Sequence, residues 1–276
     1  MQDRARTVQL MNNTSNLAQA AAAILAERRL KGLQGPCLPD GIRPVSLQEA
    51  MAIQRAVTPL MGDAVGGWKC GTPGPDKLVV APIYASTIHR QTVSAPCPVW
   101  ASEGAVRVEP ELAFVLGLDL PVRAQPYEPD EVDAAIAATH LALELIDSRY
   151  NDPAVLSFAD KLADGLVNQG LFIGPEVDGD LAGHTRVMPI GVCVGEGTEQ
   201  VRAGQHPDPL PRLPLYWLVE YLREQGVGLK AGQAVITGSY AGTFPLPVAC
   251  DLSLRFGELG AMSVRFRPRS RVDVDY

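Results

Sequence analysis

The sequence predicts an α+β chain: a helical arm at the N-terminus, then a β-rich domain. Three observations predict it. Helix start and stop signals are concentrated before residue 62. From Gly66 onward, short apolar and β-branched runs alternate with Gly and Pro. The chain's 276 residues, 46% hydrophobic and 20% charged, suffice for one large domain or for a domain plus an arm. The expected division is residues 1–62 for the arm and 63–276 for the domain.

Taken in order, residues 1–15 read as a frayed lead-in, with Met11 an alternative start. Asn16 is placed to cap a helix that runs to Lys31 and stops at Gly32. A Gly/Pro-rich connector, 35–44, leads to Ser46, which with Glu49 three residues on forms a capping-box pattern for a helix through Leu60. Strands are expected at 67–70, 106–116, 143–147, 170–173, 187–194, 233–237, 251–256 and 260–266. Helices are expected at 129–140, 152–163 and 214–225, the last with Pro at its start and Gly226 after its end. No internal repeat or low-complexity tract interrupts this order.

Composition excludes several function classes. A net charge of −7 gives no basic surface for nucleic acid. No apolar run approaches the roughly 18 residues of a membrane span. Asp3, Arg4 and Arg6 precede a polar 12–16 stretch, which is not a signal-peptide layout, so a cytoplasmic location is the expectation. Five cysteines are scattered without CxxC spacing and read as reduced thiols. Cys70 stands apart because it adjoins Lys69, and a neighbouring cation can lower a thiol pKa.

The sharpest feature is the run Val106 to Leu116. Side chains alternate faces along a strand. One face is then Val108, Pro110, Leu112, Phe114 and Leu116, which is apolar and belongs to the core. The other carries Arg107, Glu109, Glu111, Ala113 and Val115, so two carboxylates project from one face. Pro110 has no ladder donor, which places the strand at an edge or at a bulge. Like charges this close raise each other's pKa unless a cation lies between them. A hard divalent ion, Mg²⁺ or Mn²⁺, fits carboxylate oxygens. A solvated strand face with Arg107 as the partner is the competing reading, and a glycosidase-type pair a remote one.

Glu144 and Asp147 offer a third carboxylate. As strand residues they face opposite ways, so only one joins the pair; as helix residues they share a face. Lys69, between Trp68 and Cys70 in a glycine-rich setting, can act as a proton shuttle or as an electrostatic clamp. An exposed lysine at a strand end is the alternative. The Thr237–Gly242 loop could bring backbone N–H groups to a ligand but is not a P-loop. None of the four histidines shows zinc-ligand spacing, and no GxSxG elbow is present.

In order, these pieces resemble the fumarylacetoacetate hydrolase superfamily, nearest its 2-oxopent-4-enoate hydratase and 2-oxo-3-hexenedioate decarboxylase branch. The motifs are GWKCG (67–71), VEPELAFVLG (108–117), LALELIDSR (141–149), LADGLVNQGLFIG (162–174), GVGLKAGQAVITGS (226–239) and GELGAMSVRF (257–266). Each is modest, but six in the family's order over two hundred residues are specific. The resemblance implies a mixed β-sandwich roll with Mg²⁺ or Mn²⁺ held by Glu109, Glu111 and Glu144. It implies Lys69 and Asp164 as catalytic groups, Asp147 with Arg149 as supports, and Gly71, Arg149, Gly238 and Ser239 as candidate substrate contacts. One departure stands out: the family's DNxS pattern is Asp164-Gly165-Leu166-Val167 here.

The implied reaction is hydration of a 2-hydroxy-2,4-dienoate or 2-oxo-enoate in a catabolic, aromatic meta-cleavage type pathway. Decarboxylation of a 2-oxo-3-enedioate comes next, then C–C hydrolysis of an acylpyruvate. A non-catalytic paralogue partnering a related enzyme is the reading from another class. The family habit and the helical arm imply a homo-oligomer or a complex with such an enzyme.

Overall fold

The structure is a computed structural model that describes residues 2–92 and 95–270, the side chains of 2–14 excepted. Helix α1 (Gln2–Lys31) ends at Gly32, whose φ of 67° suits the stop. It starts well before Asn16. Once a packed segment has nucleated a helix, each added residue closes another hydrogen bond at little cost, so the polar 12–16 stretch continues it. Helix α2 (Leu47–Leu60) begins as expected: the Ser46 hydroxyl accepts from the Glu49 N–H, and the Glu49 carboxylate accepts from Val45 N. Among the described residues, no helix is long and apolar enough to cross a membrane.

The strands that follow are β1 (Val65–Gly74), β2 (Lys77–Tyr84), β3 (Ile88–Arg90), β4 (Cys97–Val99) and β5 (Ala105–Leu116). Next come α3 (Pro129–Ala135), β6 (Ile136–Ile146), α4 (Phe158–Ala163), β7 (Asn168–Val177) and α5 (Gly179–His184). The chain closes with β8 (Ile190–Val194), β9 (Gln200–Arg202), α6 (Leu213–Glu224), β10 (Ala234–Ile236), β11 (Phe244–Pro247), β12 (Asp251–Phe256) and β13 (Gly260–Pro268).

Two expected helices are cut short. The 129–140 helix ends at Ala135, and the chain becomes β6 at once. Alternation decides it: Thr139, Leu141, Leu143 and Leu145 are buried on one face, and β6 forms ladders with both β5 and β7. Two ladders outweigh the helix propensity of the alanines. The 152–163 helix breaks because the Ser157 hydroxyl accepts from Asp160 N while the Asp160 carboxylate accepts from Ser157 N, which starts α4 afresh.

An eight-stranded mixed sheet runs β2-β1-β10-β5-β6-β7-β3, with β11 also paired to β5. A five-stranded sheet runs β4-β13-β12-β8-β9. Val108, Leu112 and Phe114 of β5 and Leu141, Leu143 and Leu145 of β6 share one core with Leu254, Phe256, Met262 and Val264 of the smaller sheet. The apolar face assigned to β5 is therefore core. The opposite face of the large sheet carries a smaller apolar cluster, including Ala113, Ala142, Leu171 and Ile236. The glutamates stand on that second face.

Candidate metal centre

β5 lies inside the sheet, so Pro110 does not mark an edge strand. Along one side of β5, β10 covers residues 113–115 and β11 covers 105–108. The residues between them face the loop joining β10 to β11. Tyr240 N donates to Pro110 O at 2.9 Å and Gly238 N to Glu111 Oε2 at 2.7 Å. A strand that exchanges a ladder partner for a loop can hold a proline. The Glu-Pro-Glu segment is bound from that side by loop N–H groups.

Across the other ladder, Glu109 is paired with Glu144 and Glu111 with Ala142. This register settles which acid joins the pair. Glu144 faces Glu109, whereas Asp147 lies beyond the end of β6 and accepts from Gln34 Nε2 at 3.2 Å. Glu109, Glu111 and Glu144 each offer a carboxylate oxygen within 4.8 Å of the others. Lys69 arrives from β1, paired through Ile236 to Ala113, and its Nζ lies 2.7 Å from Glu144 Oε2. Among the described residues Lys69 is the ion-pair partner of the cluster; Arg107 is exposed.

Burial makes this charge set consequential. Glu144 is 0% exposed, Glu111 2% and Lys69 9%. Burial pushes Glu144 up to about 7, with Lys69 pulling against it and Glu109 adding to it. Burial, then Glu144 and Glu109, push Glu111 well above the usual carboxylate range. Burial acts to lower Lys69, but Glu144, Glu109 and Glu111 outweigh it and hold the ammonium above its usual value. Three carboxylates against one ammonium leave two net negative charges when all are ionised, which is the charge of one divalent cation. Hydrogen bonds aim the oxygens: Thr243 Oγ1 donates to Glu109 Oε1, Gly238 N to Glu111 Oε2 and Asn168 Nδ2 to Glu144 Oε1 at 2.8 Å. The donor set is all oxygen, pre-aimed and largely dry, so these residues fit a hard divalent ion.

Of the other sequence candidates, Gly238 touches the cluster through its N–H, and the rest are placed by contacts elsewhere. Asp164 and Arg149 pair with each other, Arg149 Nε to Asp164 Oδ1 at 2.5 Å, with both residues 2% exposed. Arg29 of α1 joins them by donating to Asp164 O at 2.8 Å. Ser239 donates weakly to Gly242 O and Pro110 O, at 3.3 and 3.5 Å. Gly71 lies two residues past Lys69 on β1, where Val79 pairs with it. Cys70 reverses its expectation: it faces away from Lys69, is 2% exposed, and burial pushes its thiol well above the usual value. Sequence reasoning missed Asn168 and Thr243. Asn168 had a signal, since it sits inside one of the matching motifs as a polar residue before an apolar strand; Thr243 had none.

No protein-family model matches the chain. A 4-oxalocrotonate decarboxylase from Pseudomonas sp is 29% identical over 255 residues, covering 87% of this chain and 94% of that protein. A 2-oxo-hept-4-ene-1,7-dioate hydratase from Escherichia coli is 29% identical over 170 residues, covering 58% of this chain and 61% of that one. Among solved structures, the 4-oxalocrotonate decarboxylase of Pseudomonas putida G7 complexed with calcium and acetate superposes with a TM-score of 0.71 at 18% identity, over 91% of this chain and 98% of its own. Its complex with magnesium and adipate gives 0.70 at 17%, over 91% and 97%. By fold the chain is similar to these decarboxylase structures, and by sequence to a decarboxylase and a hydratase of the kind that the motif order implied.

Proposed function

We propose that this chain is a divalent-metal-dependent lyase acting on a small 2-oxo or 2-hydroxy acid. The observation that carries the reading is the convergence of Glu109, Glu111 and Glu144 on one sheet face beside a buried, charged Lys69. The three glutamates would hold Mg²⁺ or Mn²⁺, which would supply a Lewis acid for the 2-oxo and carboxylate oxygens and for the negative charge that develops there. The magnesium and calcium in the similar decarboxylase structures agree with that donor set.

Within this class, decarboxylation of a 2-oxo-3-enedioate moves ahead of the hydration expected first. The bond to the departing carboxylate breaks, and its electron pair moves into the conjugated 2-oxo system. A proton then replaces CO₂ on carbon. Lys69 suits that last step by position, because its Nζ stands against the cluster, 2.7 Å from Glu144 Oε2, where a proton can be handed over. Hydration also needs a group to deliver water, and Val167 brings no hydroxyl to the loop where the family pattern has one. The relative that covers nearly its full length is a decarboxylase. Hydration remains the second reading, supported by the Escherichia coli hydratase. C–C hydrolysis ranks last, since no imidazole among the described residues is bonded to the cluster. Self-association, or association with a related enzyme, is the assembly reading, and sedimentation would test it.

The test supplies Mn²⁺ or Mg²⁺ and follows a 2-oxo-3-enedioate by CO₂ release and a 2-hydroxy-2,4-dienoate by loss of its ultraviolet band. CO₂ release supports the first reading, and loss of the dienoate alone supports the second. No turnover of either would leave a non-catalytic paralogue. A Glu109→Gln/Glu111→Gln double variant is expected to lose Mn²⁺ binding; unchanged affinity would remove the metal centre.

A further inference from the structure

We infer that Asn168 is a positioning residue for Glu144, and that the N-terminal helix holds Asn168 in place through Arg29; the inference rests on the metal-centre reading above. Asn168 is 1% exposed, and its side-chain nitrogen donates to Glu144 Oε1 at 2.8 Å and to Gly170 O at 3.2 Å. The Gly170 carbonyl only accepts, and so does the ionised Glu144 carboxylate. Rotating the amide would set its oxygen against two oxygens, so the orientation is forced. With Lys69 on Oε2 and Asn168 on Oε1, the Glu144 carboxylate is fixed at both ends.

The backbone that delivers Asn168 is unusual. Gly165, Leu166 and Val167 have φ of 66°, 54° and 57°, three consecutive left-handed residues of which one is β-branched. Such a turn persists only where its surroundings over-determine it. Leu166 N donates to Lys161 O, Asn168 N to Gly165 O, and Asp147 N to Val167 O. The arm then closes over it. Arg29 donates through Nη1 to Asn168 O at 2.7 Å and through Nη2 to Asp164 O at 2.8 Å. A Cβ on Gly165 would come within 3.1 Å of Arg29 Nη2, so the glycine also makes room for the arginine. Helix α1 thereby reaches the metal centre by one chain of contacts: Arg29, the Asn168 backbone, the Asn168 amide and Glu144.

The experiment measures Mn²⁺ binding to the full chain by electron paramagnetic resonance, without substrate, with thermal unfolding as the check on folding. Asn168→Leu, close in shape but without a donor, is expected to weaken Mn²⁺ binding about 10- to 100-fold. Asn168→Gln keeps the amide and should recover part of that loss. Arg29→Met should weaken binding in the same direction by a smaller factor, with Arg29→Lys nearer the parent. Arg29 acts from another element, so its variants test the proposal even if Asn168→Leu does not fold. Parent-like affinity in Asn168→Leu, or equal losses in the Leu and Gln variants, would overturn the positioning role while leaving the metal centre intact. Parent-like affinity in Arg29→Met would overturn the part given to the arm. A parent protein that binds no Mn²⁺ would overturn the metal centre and this inference with it.

Discussion

At Lys69 two roles can be separated, because charge and proton supply act on different observables. Its ammonium lies 2.7 Å from a carboxylate that is also placed for the metal, so it competes with a cation for the same field. Replacing it with an uncharged chain should leave Mn²⁺ affinity equal to the parent's or tighter. Turnover should nonetheless fall, by about 10² to 10⁴ if Lys69 carries the proton. Lys69→Met is therefore expected to bind Mn²⁺ by titration calorimetry yet turn over at least a hundredfold more slowly, and a loss of metal together with activity would make the lysine a structural clamp. Val167 invites the opposite kind of change. A β-branched residue held at φ 57° is strained, while Asn accepts that conformation readily. Val167→Asn is expected to raise unfolding stability by about 1 kcal/mol in urea titrations; a lower midpoint would mean that the packing of the valine outweighs its strain.

At the scale of elements, the N-terminal helices and their connector are held by charge as well as by apolar packing. Arg43 pairs with Asp160 at 2.7 Å, while Arg28 donates to Pro36 O and Arg149 O. Asp164, the hub between Arg29 and Arg149, is the most exposed to attack by mutation: removing it strands two arginines, one of them 2% exposed. Asp164→Ala should cost about 3–5 kcal/mol of unfolding free energy, as for breaking other buried pairs, and a cost under 1 kcal/mol would show that water reaches the arginines. The elements differ in how far they could be read from sequence. β5 and β12 were visible because two-residue alternation persists for their whole length, and α2 because its cap is chemical. β2, β3, β4, β9 and β11 were not, being short, proline-bearing or at sheet edges, where neighbours and not residues make the strand. β6 was half hidden by alanines until its two ladders were in view. The metal centre shows the same division. Period two put Glu109 and Glu111 on one face, but Glu144 depended on register, and Asn168 on a left-handed turn that no propensity announces.

For the whole molecule, the buried cluster makes stability a function of pH and metal together, and the sign follows from the direction of the shifts. Glu144 titrates at about 7 in the folded chain against an ordinary 4.5, and Glu111 well above its ordinary value. Through these two groups the folded state binds more protons than the unfolded one between those limits, so their contribution to the metal-free fold falls as pH rises from about 4.5 toward 7. His89 and His206, lowered by burial, act in the opposite sense. Lys69, raised from 10.5, adds nothing in that window, since its ammonium is protonated in both states. A divalent ion reverses the slope, because it binds the ionised carboxylates and must displace their protons when pH is low. Metal affinity should thus rise with pH across the same interval, and binding at about pH 6 should release protons. The measurement is calorimetric unfolding at about pH 5, 6 and 7.5, with a chelator and with excess Mn²⁺. With chelator, the transition temperature of the parent should fall relative to that of Glu111→Gln along the series, while the gain from Mn²⁺ should be smallest at about pH 5 and largest at about pH 7.5. The Glu111→Gln variant removes one of the titrating groups and should flatten the metal-free slope. A metal-free parent whose slope through this window matches that of Glu111→Gln would mean that the three carboxylates are not held together and dry, and the cation would then have no electrostatic reason to bind there.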